Sequence, residues 1–149
     1  MGIVIQKFGG TSLSTPQQRE RVCQAIQRER HKGNSVVVVV SAMGRADEPY
    51  ATDTLISLLR RDNLNPNRRE LDMLMSCGEI ISGVVLTNKL QSHGEQAVFL
   101  NGVQAGIKTN SNHGDARIVA IDTRLIKRYL DEDYVVVVAG FQGISEDGE

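Results

Sequence analysis

Three apolar runs stand out along the chain: Gly2-Ile3-Val4-Ile5-Gln6, Val36–Val40 and Tyr134–Ala139. None shows the polar alternation of a half-exposed strand, so each is predicted to be a buried strand. Each leads into small residues: Gly9-Gly10, Ser41-Ala42-Met43-Gly44 and Gly140-Phe141-Gln142-Gly143. Gln96–Leu100 and Arg117–Ile121 read as further strands. Between these runs the period becomes helical. Thr15 is placed as the N-cap of a first helix, with Pro16 at its first position and Gln18 three residues beyond the cap. Val22, Cys23, Ile26 and Ala25 fall on one face of it, and Gly33-Asn34 stops it near His31-Lys32. After a polar loop over Arg45–Tyr50, a second helix starts at Thr52-Asp53 and runs through Leu59. Pro66 lies in the connection to a third helix, Arg68 to about Leu90, and a fourth covers Thr123–Leu130. Gly78 and Gly83 interrupt the third, each costing up to ~1 kcal/mol against alanine. Glycine at those positions makes sense if a backbone or a ligand comes close.

Alternating strands and helices predict an α/β sandwich with a largely parallel sheet. Such sheets bind ligands beyond the carboxyl ends of their strands, so the three small-residue turns are expected to converge on one crevice. No repeat or internal boundary is visible, which makes residues 1–149 a single unit. A fully apolar strand followed only by Ile144–Glu149 predicts a domain cut short at its C-terminal end, because a buried strand needs elements to cover it.

Composition narrows the class. The 149 residues carry a formal net charge of −1 and only 4% aromatics. That argues against nucleic-acid and anionic-membrane partners. No apolar stretch approaches the ~20 residues of a membrane span, and the N-terminus lacks a secretory pattern. Cys23 and Cys77, far apart in helical segments, read as reduced thiols of a cytoplasmic protein.

The candidate chemistry begins at Lys7-Phe8-Gly9-Gly10-Thr11-Ser12. A strand, a glycine turn and a helix start suit a phosphate, because exposed amides and the helix dipole favour an anion and Lys7 adds a full charge. Neither GxxxxGK[ST] nor GxGxxG is present, and a structural turn with a snorkelling lysine is the plain alternative. Ser41 lacks a nucleophile elbow and suits ligand contact or a turn. Glu79 lies in the apolar stretch Leu71–Ser82, where a carboxylate needs a cation, a ligand amine or solvent. His31, His93 and His113 have no metal-ligand spacing and read as surface residues. Cys77 reads as a small buried hydrophobe.

These motifs occur together and in order: Lys7–Ser12, Val39–Gly44, Leu71–Ser82 with Gly78-Glu79, Gln104-Ala105-Gly106 and Ala139–Gly143. The set closely resembles aspartate kinases, whose wider kin are the amino-acid kinases. The Met43–Asp53 segment is most similar to the diaminopimelate-sensitive bacterial subtype. The resemblance implies a three-layer α/β/α sandwich with a mainly parallel sheet. It also implies that residues 1–149 are the N-terminal, aspartate-side part, without the nucleotide-side half and the ACT domains. The implied reaction transfers a phosphoryl group from ATP, bound with Mg²⁺, to the β-carboxylate of L-aspartate. That step opens lysine, diaminopimelate, threonine and methionine biosynthesis. Family pattern assigns Lys7 to catalysis and, with Phe8, Gly9, Gly10 and Ser12, to the ATP phosphates. It places Ser41, Thr52 and Glu79 around aspartate, with Glu79 on the α-ammonium. Using Thr52 requires a short insertion over Arg45–Ala51. The resemblance further implies a homo-oligomer and an isolated chain with little turnover. Another amino-acid kinase, or a non-catalytic anion-binding or interaction module, stays open here.

Overall fold

The computed structural model describes residues 2–45 and 48–149. Its main sheet holds β1 (Ile3–Phe8), β2 (Ser35–Val40), β6 (Val135–Ala139) and β3 (Ala97–Leu100), in the order β1-β2-β6-β3. All three pairings are parallel, with Phe8 beside Val40 and Val40 beside Ala139. Every strand therefore ends at the same edge. The crossovers are helical: α1 (Pro16–His31), α2 (Thr52–Asp62), α3 (Arg68–Ser92) and α4 (Arg124–Asp131). A second, smaller sheet is built from β4 (Ile107–Thr109), β5 (Ile118–Ile121) and β7 (Ile144–Ser145), in the order β5-β4-β7.

Two apolar layers sandwich the main sheet, as expected of β-branched strands without polar alternation. On one face Val36, Val38, Val40, Val135 and Val137 pack with Cys23 and Ile26 of α1 and Leu86 and Leu90 of α3. On the other, Val37, Val136, Val138 and Leu100 pack against Leu125, Ile126 and Leu130 of α4. α1 begins as the sequence predicts. Thr15 Oγ1 accepts from the Gln18 N–H at 3.2 Å, and Gln18 Oε1 accepts from the Thr15 N–H at 3.0 Å. Its end at Gly33, φ +80°, also agrees. No helix of the described residues is long and apolar enough to cross a membrane.

Two expectations are corrected, and one expected strand is found outside the main sheet. β1 is not buried on both faces: Ile3 is 58% and Ile5 69% exposed, whereas Phe8 packs into the α1 layer. β1 is the end strand, and α4 covers the other half of that face. The strand expected at Arg117–Ile121 is β5, which pairs antiparallel with β4 outside the main sheet. Cys77 is exposed, because α3 turns its neighbours Gly78 and Glu79 inward instead. Both cysteines are free thiols. The loop expected over Arg45–Tyr50 includes Ala46 and Asp47, which lie outside the described residues.

Candidate active site at the carboxyl ends of the parallel strands

The turns that follow β1, β2 and β6 meet at one edge, as their shared direction requires. The Ser41 N–H donates to the Phe8 carbonyl at 3.1 Å, and the Gly140 N–H donates to the Val40 carbonyl at 2.8 Å. A Cβ on Gly10 would collide with the Ala42 carbonyl oxygen, so the glycine turn can lie against the Ser41-Ala42 turn only without a side chain. Gln142 ties in two further elements. Its Oε1 accepts from the Gly102 N–H after β3, and its Nε2 donates to the Ser76 carbonyl of α3, both at 3.2 Å.

Between β1 and α1 the glycine turn forms one short 3₁₀ turn, Gly10–Ser12. Its hydrogen bonds are donated by the amides of Ser12 and Leu13, to Gly9 and Gly10. The amides of Gly9, Gly10 and Thr11 thus stay outside that pattern. The first turn of α1 is closed by Thr15 and Gln18, so its dipole presents few free amides. The expected helix contribution is therefore smaller than the glycine turn's own. Beside the turn lies a cleft of about 340 Å³, lined by Phe8, Thr11 and Ser12 and, from α1, Gln18, Arg21 and Val22. Arg21 is a cation that the sequence pattern did not single out, since it reads as part of an ordinary charged helix face.

Lys7 leaves β1 on the face opposite α1, with its ammonium 5.5 Å from the centroid of the Phe141 ring. Phe141 is 83% exposed and adopts φ +58°, an uncommon backbone state for an aromatic residue. The cation and ring are held across the strand ends from β1 and β6. Nothing in the local sequence signals that backbone state.

Glu79 comes from α3. Only 8% of it is exposed, and its Oε1 accepts from the Ala42 N–H at 3.1 Å. Gly78 brings α3 this close: a Cβ there would lie 2.8 Å from the Ala42 Cβ and 3.4 Å from the Tyr50 carbonyl oxygen. Burial pushes the Glu79 carboxyl above its ordinary value, and the Ala42 amide opposes the shift. No cationic side chain among the described residues pairs with it. The same contacts bring in the start of α2, where Leu55 and the Tyr50 carbonyl both face Gly78. Thr52 is the first residue of that helix, and the N-cap Ala51 supplies no side-chain acceptor. One turn in, the Thr54 hydroxyl is buried without a partner.

The turns bearing Gly9-Gly10, Ser41 and Phe141, together with Glu79 and the start of α2, therefore adjoin one another at the carboxyl ends of the strands. Ser12 lies beside them on the α1 side. Of the histidines, His31 and His93 are exposed and His113 is half-buried near Asp72. Among the described residues no three His, Cys, Asp or Glu side chains gather as a metal cluster.

Residues 2–149 match the sequence profile described as the Amino acid kinase family. An aspartokinase of Geobacillus stearothermophilus is 49% identical over all 149 residues, which span 35% of that relative. The crystal structure of an aspartate kinase from Synechocystis superposes with a TM-score of 0.77 at 44% identity, covering 97% of this chain and 22% of the other. Aspartokinase III of E. coli, solved in complex with aspartate and ADP, has the same fold at 21% identity and a TM-score of 0.73, covering 99% of this chain and 42% of the other. The chain thus spans about a third of the length of the relatives it matches in sequence. With the parallel sheet, the turn motifs and a profile match over nearly every residue in agreement, the chain belongs to the amino acid kinase family.

Proposed function

We propose that this chain is the aspartate-binding part of an aspartokinase, acting in the cytoplasm within a longer homo-oligomeric protein. The observation that carries this reading is Glu79. A buried carboxylate with one backbone donor and no cation of its own calls for a cation from outside, and the α-ammonium of an amino acid supplies it. The relatives' aspartokinase activity supports L-aspartate as that amino acid. The Ser41 hydroxyl and the uncapped start of α2 at Thr52 offer donors to its carboxylates.

The substrate's β-carboxylate is ionised at neutral pH and needs no general base. It attacks the γ-phosphorus of MgATP in line; the bond to the bridging oxygen breaks, and ADP leaves with that electron pair. Mg²⁺ arrives with the nucleotide. Lys7 neutralises charge on the phosphoryl group in flight, while the Gly9 and Gly10 amides and Ser12 hold phosphate oxygens and Phe8 fixes the turn beneath them. The nucleotide-side half and any ACT regulatory domains belong to the two-thirds of the relatives that this chain does not match.

The test is calorimetric titration of the chain with L-aspartate and with succinate, which lacks the ammonium. Aspartate is expected to bind at least ~10-fold more tightly, as a charge-assisted hydrogen bond of ~1.5–3 kcal/mol requires. Glu79→Gln should abolish that preference without unfolding the chain. Equal binding of the two ligands, or an undiminished preference in Glu79→Gln, would remove Glu79 from substrate recognition.

A further inference from the structure

The cleft of about 340 Å³ between the glycine turn and α1 has no acid on its lining and one cation, Arg21. Nothing within the chain neutralises that charge. One helical turn away in either direction stand Gln17, Gln18, Gln24 and Ala25, all neutral, so Arg21 lacks the usual ion-pair partner on its own helix. The adjacent Glu20 is engaged on the α3 side, by Lys89 at 2.7 Å and His93 at 3.2 Å. Among the described residues Arg21 makes no ion pair. Arg19, two residues earlier, is different. Its guanidinium donates to the Leu13 carbonyl at 2.6 Å and the Ser14 carbonyl at 3.3 Å, closing the loop into α1.

The groups around Arg21 are also donors. Gln18 Oε1 accepts from the Ser14 hydroxyl at 2.7 Å and the Thr15 N–H at 3.0 Å, which leaves its Nε2 protons free. The Thr11 and Ser12 hydroxyls donate to no acceptor among the described residues, and the amides of Gly9, Gly10 and Thr11 lie outside the turn's own pattern. A guanidinium fork among such donors selects a multiply charged, acceptor-rich anion, and a phosphate group meets that description. Successive residues of β1 point to opposite faces, so Phe8 faces α1 and Lys7 faces Phe141. Lys7 and Arg21 therefore flank the glycine turn from its two sides. A polyphosphate lying over the turn meets Lys7 at one end and Arg21 at the other.

We propose that Arg21 binds the β-phosphate end of MgATP, the part that leaves as ADP, while Lys7 takes the γ-phosphoryl group. The inference rests on the reading of the glycine turn as the phosphate site. Calorimetric titration of the chain with inorganic pyrophosphate tests it without adenosine. Arg21→Gln should weaken that binding at least ~10-fold, which is ~1.4 kcal/mol. Arg21→Lys, which keeps the charge and loses the fork, should fall between the two. Arg21 is exposed, so these variants should keep the native far-UV circular dichroism. In the ¹⁵N-labelled chain, pyrophosphate should shift the Arg21 Nε–H signal and leave that of Arg28, farther along α1, in place. Excess MgATP should displace the pyrophosphate. No binding by the wild type, or equal binding by Arg21→Gln, would overturn the proposal. Pyrophosphate retained against MgATP would overturn it as well, by giving the cleft to a free anion. The comparison of aspartate with succinate reports on Glu79 separately. Pyrophosphate binding through Arg21 without an aspartate preference would uphold this inference and remove only the aspartate assignment.

Discussion

Gly78→Ala sets two well-measured effects against each other. In an open helix interior, alanine for glycine stabilises by ~0.8–1.0 kcal/mol. Here the added methyl would lie 2.8 Å from the Ala42 Cβ, 3.4 Å from the Tyr50 carbonyl oxygen and 3.6 Å from Leu55 Cδ1. Carbon atoms prefer about 3.5–4.0 Å, and a Cβ has no rotamer by which to yield. The Ala42 backbone cannot shift freely either, since its N–H is bound to Glu79. Overpacking of this kind costs ~1–3 kcal/mol. The net effect is a loss of up to ~2 kcal/mol, at about 2–4 °C in Tm per kcal/mol for a chain of this size. The decisive quantity is the coupling. Ala42→Gly removes the opposing methyl, so the double variant should recover the helix propensity and show a coupling of ~1–3 kcal/mol in the cycle. Urea unfolding followed by far-UV circular dichroism at the four corners measures it. A Gly78→Ala variant more stable by the full helix propensity, with no coupling to Ala42, would refute the close packing of α3 on this turn.

Glu79→Gln should change how stability depends on pH. Because burial raises the folded carboxyl above its ordinary value of 4.5, the folded chain keeps the proton to higher pH than the unfolded one. The native residue therefore favours folding fully only below that value and loses the contribution as pH rises through the folded pKa. Relative to wild type, the glutamine variant should gain stability toward neutral pH and none in acid; urea midpoints across that range giving the reverse order would contradict the assignment. The thiols should separate cleanly under a disulfide reagent. Exposed Cys77 should react in the native chain, whereas Cys23, fully buried and pushed up to about 11 by burial, should react only on unfolding. Equal native rates would mean that α1 does not seal Cys23.

The sheet was readable because its signal is local and redundant. Val36–Val40 and Tyr134–Ala139 have no polar position to place on a wet face, and Thr15-Pro16-x-Gln18 states a helix start in four residues. The meeting of the three turns was readable in outline for a related reason: strands of one direction must end together. β1 misled because three β-branched residues look alike whether one face or both are covered; only the sheet order reveals that it is the end strand. β4 and β7 are two or three residues long, too short for any period to register. Ala42 as the partner of Glu79 was invisible, since a backbone amide leaves no mark in the sequence. The same holds for the left-handed backbone at Phe141, where the residue type argues against the conformation adopted.

The place of β6 has a consequence for how the chain reaches this state. It sits between β2 and β3, yet its contacts with β2 join residues roughly 100 positions apart, a loop closure that must precede any reward from the paired strands. Until that stretch emerges from the ribosome and docks, β2 has a partner on one side only and β3 has none, so two valine- and leucine-rich edges stand open. The order of synthesis therefore runs against the order of assembly: the strand between β2 and β3 is made after both of its neighbours. Slow, late-nucleating folding with a window of aggregation-prone edges follows from that arrangement.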